Sequence, residues 1–429
     1  MRGRSGRGWL AVVVVLWVLG FDHVAGVVTL PLYASRGENV PFISISVGGG
    51  LFEGQVVLDT GSPLFYLTSR AKASVAAPAA SSVACASGFE PAAPAAVPLN
   101  RSTSLAYGSG FIEGPLYNVT VQFATTAVGQ ASDTTGVPVM AATTVPSCNA
   151  GPGGLIGFDQ GSQTAPLLLQ QAGLPALFTV NLACPTSSTE RQRAGTLTLG
   201  ALDTAAVAGG AAAIRAVPLL PPAQRQERFS AANPQGVVPN RTLWWQFGVE
   251  SVSVGGVVTD QGEGASGPAG GPSLQAIADT GTSIIVAGPT ANFIQHTVVA
   301  RDCSNFSALR DLSFALAGGV TLTLSPADYV LHDSPTTCTS LILVLADAPS
   351  GVIVLGDPIF WKYSVGFNYS GSGSVAFGPK AVPTACATPQ SQTVPPTSLP
   401  AIGQPTVAPT AAPTAPLLQQ SARPTAVAP

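Results

Sequence analysis

The sequence is poor in charged residues. They make up 9% of the 429-residue chain, and the formal net charge is −3. No run of lysines or arginines stands out, which argues against nucleic acid as a partner. The same shortage argues against strong electrostatic steering of a charged substrate. With 46% apolar residues, the chain can nevertheless bury a large core.

Histidine is scarce as well. The three histidines, His23, His296 and His332, are scattered along the chain. They show none of the close spacings that are typical of zinc ligands. We therefore expect no metal site, and no motif indicates a cofactor.

Long helical periodicity is also rare, and only two short helices are predicted, near Ala165–Ala172 and Pro289–Val299. Glycine and proline, with 47 and 38 residues, are abundant. From residue 27 to about residue 382 they punctuate short alternating or β-branched runs, so we predict an all-β sandwich or barrel. The predicted strands are Phe42–Val47, Gln55–Leu58, Tyr117–Phe123, Thr196–Leu199, Val249–Val254, Val320–Leu324, Leu341–Leu345 and Val352–Leu355.

The N-terminus has the features of a secretory signal peptide. Three arginines within the first seven residues precede the apolar run Trp9–Gly20, and small residues follow near residue 26. The apolar run is too short for a comfortable membrane span. We expect residues 1–26 to be a signal peptide and the mature protein to be secreted or extracellular, with the vacuole or cell wall as further destinations. An uncleaved anchor is the alternative.

Cysteines and glycosylation sequons agree with secretion. Six cysteines suit three disulfides in an oxidising compartment. They are Cys85, Cys148, Cys184, Cys303, Cys338 and Cys386. Five N-x-S/T sequons beside a signal peptide indicate N-glycosylation. The sequons begin at Asn100, Asn118, Asn240, Asn305 and Asn368.

Three stretches lack a hydrophobic period. Pro221–Asn240 and the glycine-rich Gly255–Pro272 are predicted to be surface loops. The last segment, 383–429, is rich in Pro, Thr and Ala and has almost no charge. It cannot bury a core, so we expect a disordered or extended tail, of a composition that suits an O-glycosylated stalk.

A weak internal repeat carries the candidate chemistry. Val57–Ser62 reads Val-Leu-Asp-Thr-Gly-Ser, and Ile277–Thr282 reads Ile-Ala-Asp-Thr-Gly-Thr. Each is followed downstream by an apolar-apolar-Gly triplet, at Leu155–Gly157 and Val354–Gly356. A single Asp-Thr-Gly is a common turn. Two copies in matching contexts indicate two related halves that each supply one aspartate.

Two carboxylates ~3 Å apart cannot both ionise cheaply, so they share a proton. In that state the ionised member of Asp59 and Asp279 can activate a water, and the protonated member can donate to a substrate carbonyl. The pair titrates as a unit, so the two roles stay unassigned. Each threonine is expected to hold its turn, each glycine to allow close backbone approach, and the next hydroxyl to bond the outer carboxylate oxygen. These residues are Thr60, Gly61, Ser62, Thr280, Gly281 and Thr282.

Several motifs resemble the pepsin family of aspartic proteases, over roughly residues 38–380. Gln275–Ile285 is similar to the family's second active-site strand and turn. Ala106–Gly110 resembles the flap hairpin that closes over the substrate. Gly153–Gly157 and Val354–Phe360 resemble the elements that support the two aspartates.

The resemblance implies a bilobal double β-barrel with the active-site cleft between the lobes. We place the N-terminal lobe at 27–205 and the C-terminal lobe at 206–382. The resemblance also implies that Asp59 and Asp279 are the catalytic pair. It implies a substrate-binding flap, formed by Tyr107, Gly108 and Ser109.

Three further features follow from comparison with the family pattern. Cys303 and Cys338 match the family's C-lobe disulfide, while the pairing of the other four cysteines stays open. Tyr66 stands where the family usually has a tryptophan that bonds the flap tyrosine. Too few residues separate the predicted cleavage site from Asp59 to hold the usual basic propeptide.

The leading interpretation is a monomeric aspartic endopeptidase whose partner is a peptide or protein substrate. It would bind an extended peptide as a strand in the cleft, with apolar pockets that favour hydrophobic residues around the cut bond. The first alternative is a non-catalytic extracellular binding or inhibitor protein of the same fold. A structural cell-wall glycoprotein is the second, although it would not require two Asp-Thr-Gly turns.

Overall fold

The computed structural model describes most of the chain between residues 26 and 381, all within one compact unit. The predicted tail and almost all of the predicted signal peptide lie outside the described residues. For residues 74–75, 106–107, 110–111 and 144–145 only the backbone is described. The described ranges are 26–35, 38, 40–70, 74–75, 88–107, 110–123, 133–145, 153–185, 190–225, 244–262, 270–334, 336–346 and 348–381.

Strands dominate the described residues, which confirms the all-β prediction. The strands before residue 200 are β1 (Val28–Ala34), β2 (Phe42–Val47), β3 (Phe52–Asp59), β4 (Phe65–Thr68), β5 (Ser74–Val75), β6 (Ala96–Tyr107), β7 (Gly110–Phe123), β8 (Thr134–Ala142), β9 (Thr144–Val145), β10 (Gly154–Gly157), β11 (Leu177–Leu182) and β12 (Gln192–Leu199). Those that follow are β13 (Arg215–Pro218), β14 (Gln246–Val254), β15 (Val257–Gln261), β16 (Gln275–Ala278), β17 (Ile285–Ala287), β18 (Leu312–Leu316), β19 (Val320–Leu324), β20 (Val330–Ser334), β21 (Thr337–Ser340), β22 (Ile342–Val344), β23 (Val352–Leu355), β24 (Tyr363–Asn368) and β25 (Ser374–Pro379).

Helices are short in the described part of the chain. The α-helices are α1 (Thr164–Gln171), α2 (Pro326–Tyr329) and α3 (Asp357–Lys362). Single 3-10 turns occupy Thr204–Ala206, Gly210–Ala213, Pro222–Gln224, Asn292–His296 and Phe306–Ala308.

The first half of the chain closes a barrel. The strands follow the order β2-β3-β10-β4-β8-β7, and β7 pairs back onto β2 to complete the circle. Closure leaves no free sheet edge on this circuit. The barrel interior is filled by buried side chains such as Val56, Leu58, Val119 and Ile156.

Hydrophobic alternation and turn chemistry explain the local strands. In the β18–β19 hairpin, Leu312, Phe314 and Leu316 point inward while the residues between them are half-buried. Gly318 and Gly319 in the intervening turn have φ of 84° and 75°, a left-handed conformation that favours glycine. The sequence pattern therefore fixes both the buried face and the reversal of the chain.

The two halves of the chain share one extended sheet. Strands β11 and β12 of the first half continue through β24 and β25 to β13 of the second. Aromatic rings pack beside this junction: Phe178 stacks on Phe367 with centroids 4.7 Å apart, and Trp245 lies 5.1 Å from Phe367. The predicted boundary between residues 205 and 206 falls inside the Thr204–Ala206 turn, and the lobe limits stay a prediction.

Two sequence predictions were wrong in part. Gly255–Pro272 was predicted to be a loop, but Val257–Gln261 is strand β15, paired with β14. Its exposed valines, 68% and 54% accessible at Val257 and Val258, weakened the alternation that marks a strand. The helix predicted at Pro289–Val299 is reduced to the 3-10 turn Asn292–His296.

A disulfide joins Cys303 to Cys338, 35 residues apart in sequence. This is the pairing that the pepsin-family resemblance implied. Cys184 is also disulfide-bonded. The other three cysteines, Cys85, Cys148 and Cys386, lie outside the described residues, and the partner of Cys184 is one of them.

We predict that removing this disulfide destabilises the protein. Cys303→Ala combined with Cys338→Ala should lower the free energy of unfolding by about 3–4 kcal/mol, because the unfolded chain regains the entropy of an open loop of this length. Denaturant unfolding at neutral pH measures the loss. Ser304→Ala, an exposed neighbour in the same turn, is the matched control. Equal stability of the double variant and the control would contradict the prediction.

Candidate active site

Equivalent strand arrangements present the two Asp-Thr-Gly turns. Strand β3 runs parallel to β10, so that Asp59 lies opposite Gly157. In the second half β16 runs parallel to β23, with Ala278 opposite Leu355. The strand after each turn, β4 or β17, pairs antiparallel with β10 or β23. Each apolar-apolar-Gly triplet is therefore the strand that supports one aspartate.

The two threonines bind the turns to one another. The Thr60 hydroxyl donates to the carbonyl of Ala278 at 3.0 Å and accepts from the amide of Thr280 at 3.0 Å. The Thr280 hydroxyl donates to the carbonyl of Leu58 at 2.6 Å and accepts from the amide of Thr60 at 3.1 Å. Both threonines are fully buried. These four crossed hydrogen bonds fix the distance between the aspartates.

The glycines allow each turn to approach the opposite aspartate. A Cβ at position 61 would lie 2.6 Å from the Asp279 carboxyl carbon, and one at position 281 would lie 2.5 Å from that of Asp59. No side chain fits at such distances. The amides of Gly61 and Gly281 donate to the aspartate of their own turn, at 2.7 and 2.8 Å.

The surroundings of Asp59 favour its protonated form. Burial raises the pKa of Asp59 well above its usual range, and the charge of Asp279 and a hydrogen bond between the two carboxyls raise it further. The amide of Gly61 acts in the opposite direction. Asp59 is 6% exposed, whereas Asp279 is only half-buried. A water or a peptide carbonyl can therefore reach the pair from the Asp279 side.

A buried or half-buried hydroxyl residue follows each Asp-Thr-Gly triplet. Thr282 donates to the outer oxygen of Asp279 at 2.6 Å. The Ser62 hydroxyl is buried and accepts from the amide of Leu64 at 3.3 Å. Ser62 also makes interactions beyond this one.

The predicted flap is a β-hairpin. Strands β6 and β7 pair antiparallel up to Tyr107 opposite Gly110, so Tyr107 lies at the tip. Gly108 and Ser109 lie outside the described residues, and only the backbone of Tyr107 is described. Tyr66 is half-buried against a small apolar cluster that contains Leu105 and Ile112, a cross-strand pair close to the hairpin tip. Burial raises the pKa of Tyr66 to about 12, with a further contribution from the charge of Asp59.

The structure adds residues that the sequence analysis missed. The indole of Trp244 donates to the carbonyl of Gly61 at 2.9 Å, so a residue of the second half holds the first turn. Asp159 is completely buried behind the pair and acts on Asp59 through its charge. A sequence signal for it existed, because Asp159 and Asp357 both follow closely on the apolar-apolar-Gly triplets.

Comparison with known proteins agrees with this geometry. A family model described as eukaryotic aspartyl protease matches residues 42–379. The chain belongs to that family. It is also similar to gastricsin of Mus musculus, at 28% identity over 149 residues. That match covers 32% of this chain and 36% of gastricsin, so the chain spans about a third of that relative's length.

Membership of the aspartyl protease family confirms the bilobal pepsin-like fold. Among the described residues, no helix is both long enough and apolar enough to cross a bilayer.

The sulfurs of Cys303 and Cys338 lie near His332, whose Nδ1 is 3.5 Å from the sulfur of Cys338. These are metal-ligating residue types. The two sulfurs are bonded to each other, so neither offers the thiolate that a metal would need.

Four of the five predicted glycosylation sites fall in the described residues. Asn100 is exposed, while Asn118, Asn305 and Asn368 are half-buried. The side chain of Asn305 accepts from the amide of Ala300 at 2.7 Å and donates to the carbonyl of Val298 at 3.0 Å. Asn240 lies outside the described residues. Asn100 is therefore the most accessible of the four described sites.

We predict that the crossed hydrogen bonds stabilise the whole protein. Thr60→Val should lower the free energy of unfolding by about 1–3 kcal/mol for each group it leaves unpaired, the Ala278 carbonyl and the Thr280 amide. Thr60→Ser keeps the hydroxyl and is the control. Denaturant unfolding compares the two variants. A valine variant as stable as the serine variant would show that the hydroxyl contributes nothing.

We also predict that stability falls between about pH 4 and neutrality. Burial raises the folded-state pKa of Asp59, Asp159 and Asp357 well above 3.8, so the folded chain keeps protons in this range that the unfolded chain loses. Asp357→Asn should reduce the slope of unfolding free energy by up to about 1.4 kcal/mol per pH unit. Asp133→Asn, at an exposed site, is the control. An unchanged slope in the Asp357 variant would refute the linkage.

Proposed function

We propose that the protein is a secreted aspartic endopeptidase with Asp59 and Asp279 as its catalytic pair. The observation that carries the proposal is the pair itself: two carboxyls joined by a hydrogen bond, each covered by the glycine of the opposite turn. Such a pair holds one proton over a wide pH range. It is the state in which one carboxyl serves as base and the other as acid.

The reaction uses the single proton that the pair holds. The ionised carboxyl removes a proton from a bound water, whose oxygen attacks the peptide carbonyl, while the protonated carboxyl donates to the carbonyl oxygen. The tetrahedral intermediate then collapses: the pair donates a proton to the amine nitrogen, the C–N bond breaks, and a hydroxyl proton of the intermediate returns to the pair as the carbonyl re-forms. No covalent acyl-enzyme forms. The Thr282 hydroxyl donates to Asp279 at 2.6 Å and holds that carboxyl in place.

The surroundings of the pair support a preference for hydrophobic residues near the cut bond. The hairpin β6–β7 offers backbone for an extended peptide. The hairpin contributes to an apolar cluster of Leu105, Ile112, Leu116, Met140 and Ala142, with Leu64, Tyr66 and Leu99 packed against it. Tyr107, at the hairpin tip, is proposed to close over the substrate, with Gly108 and Ser109 completing the flap.

Secretion is proposed from the N-terminal segment, the sequons and the disulfides. Disulfides persist in oxidising compartments, and the Cys303–Cys338 bond fits such a location. The alternative function is a non-catalytic binding protein of the same fold. It is disfavoured because both Asp-Thr-Gly turns are intact.

We expect Asp59→Asn and Asp279→Asn to abolish peptide cleavage, because an amide can neither serve as the base nor share the proton. The full chain is expressed through a secretory host and assayed with a mixed peptide library from pH 3 to pH 7, with and without pepstatin. Retained cleavage in either variant would contradict the assignment.

The wild-type assay separates the two functions. Pepstatin-sensitive cleavage between hydrophobic residues supports the endopeptidase. The control is Asp133→Asn, which makes the same chemical change at an exposed site and should cleave normally. Folded wild-type protein that cleaves nothing at any pH would instead favour the binding protein.

A further inference from the structure

A third aspartate lies behind the catalytic pair. Asp159 is 0% exposed. Neither of its carboxylate oxygens accepts a hydrogen bond with normal distance and angle from a described residue. The amides of Gly161 and Ser162 favour the charged form of Asp159, although their distances and angles fall short of a normal hydrogen bond. Burying a carboxyl with so few partners costs free energy. A residue kept at such a cost calls for a functional explanation.

The backbone of Asp159 is bonded to the first active-site turn. The Asp159 amide donates to the carbonyl of Ser62 at 3.1 Å, and the Phe158 amide donates to the carbonyl of Asp59 at 2.7 Å. The Tyr369 hydroxyl donates to the carbonyl of Asp159 at 3.1 Å from the opposite side. The carboxyl of Asp159 therefore keeps a fixed position relative to Asp59.

The second half of the molecule contains a counterpart. The amide of Asp357 donates to the carbonyl of Thr282 at 3.0 Å, as that of Asp159 does to Ser62. Asp357 is 2% exposed, and one of its carboxylate oxygens has no hydrogen bond to a described residue. The fold thus places one buried carboxyl behind each active-site turn, and each faces one cation: the buried Arg225 for Asp159 and the half-buried Lys380 for Asp357.

Arg225 is held firmly near the first of these carboxyls. It is 5% exposed, and its Nε donates to the carbonyl of Leu220 at 2.7 Å. Its Nη1 donates to Gln160 at 2.6 Å and to the carbonyl of Trp244 at 3.3 Å. Arg225 acts on Asp159 through its charge.

The carboxyl of Asp159 is coupled electrostatically to the pair. Burial raises the pKa of Asp159 well above its usual range, the charge of Asp279 raises it further, and Arg225 lowers it. In return, the charge of Asp159 contributes to raising the pKa of Asp59. The ionisable groups that face Asp159 from the surrounding elements are Asp59, Asp279, Arg225 and Tyr369.

We propose that Asp159 is a positioning residue that helps the catalytic pair to keep its shared proton. Together with Arg225, Asp159 raises the upper pH limit of the range in which the pair carries one proton. At low pH Asp159 is neutral and leaves the first ionisation of the pair unchanged. At higher pH, Asp159 ionises with the help of Arg225. Its negative charge then opposes loss of the last proton from the pair, because like charges repel. The inference rests on the proposed peptidase function.

The first test is the pH profile of kcat/KM. Asp159→Asn should move the alkaline limb to lower pH, by about 1 unit, and leave the acid limb in place. Asp133→Asn removes the same charge from an exposed site and should leave both limbs unchanged. An Asp159→Asn enzyme that is folded and active but keeps its alkaline limb, or moves it upward, overturns the proposal.

A second test needs no catalysis. The infrared C=O stretch of a protonated carboxyl is followed against pH in the full chain, and the band of Asp159 is identified by its loss in Asp159→Asn. Arg225→Gln should raise the pH at which this band disappears, and Asp279→Asn should lower it. A band that responds to neither substitution overturns the proposal. If the chain proves to cut no peptide, this titration still decides whether Asp159 and the pair are coupled.

Discussion

Repulsion between two adjacent carboxylates is the constraint on which the rest of the structure depends. Asp59 and Asp279 come from opposite halves of the chain, and they avoid each other unless they share a proton. The crossed threonine bonds hold them together: Thr60 and Thr280 each bond the backbone of the opposite turn at 2.6–3.1 Å. Those bonds in turn require that the strands leading into the two turns end at equivalent positions. The equivalent β3–β10 and β16–β23 pairings provide this.

The region behind the pair holds more charge than the composition of the chain suggests. Only 9% of the residues are charged, yet around the active-site turns Asp159, Asp357 and Arg225 are buried and Lys380 is half-buried. Burial lowers the pKa of Lys380 to about 7, although its ammonium donates to three backbone carbonyls and the charge of Asp357 acts in the opposite direction. In a low-dielectric interior such groups influence one another over longer distances than on the surface. The two halves are therefore linked by electrostatics as well as by hydrogen bonds.

Sequence reasoning was most reliable where local pattern and burial agree. Phe42–Val47, Val320–Leu324 and Val352–Leu355 were predicted as strands with the bounds that the structure has. It was wrong in Gly255–Pro272, because a strand paired along one side exposes valines that break the expected alternation. The Pro289–Val299 helix was over-predicted, since its short apolar period supports only one 3-10 turn without a neighbouring helix to pack on.

The sequence by itself determined that two Asp-Thr-Gly turns stand in matching contexts, which residues surround them, and that the chain is all-β, because all of these are written in local pattern and repetition. Only the tertiary structure decided which groups meet. The hydrogen bond from Trp244 to Gly61 spans 183 residues, and the approach of Arg225 and Asp159 likewise depends on how the strands are ordered in space. Burial shifts a pKa through desolvation by every surrounding element at once, and no single segment of sequence contains that information.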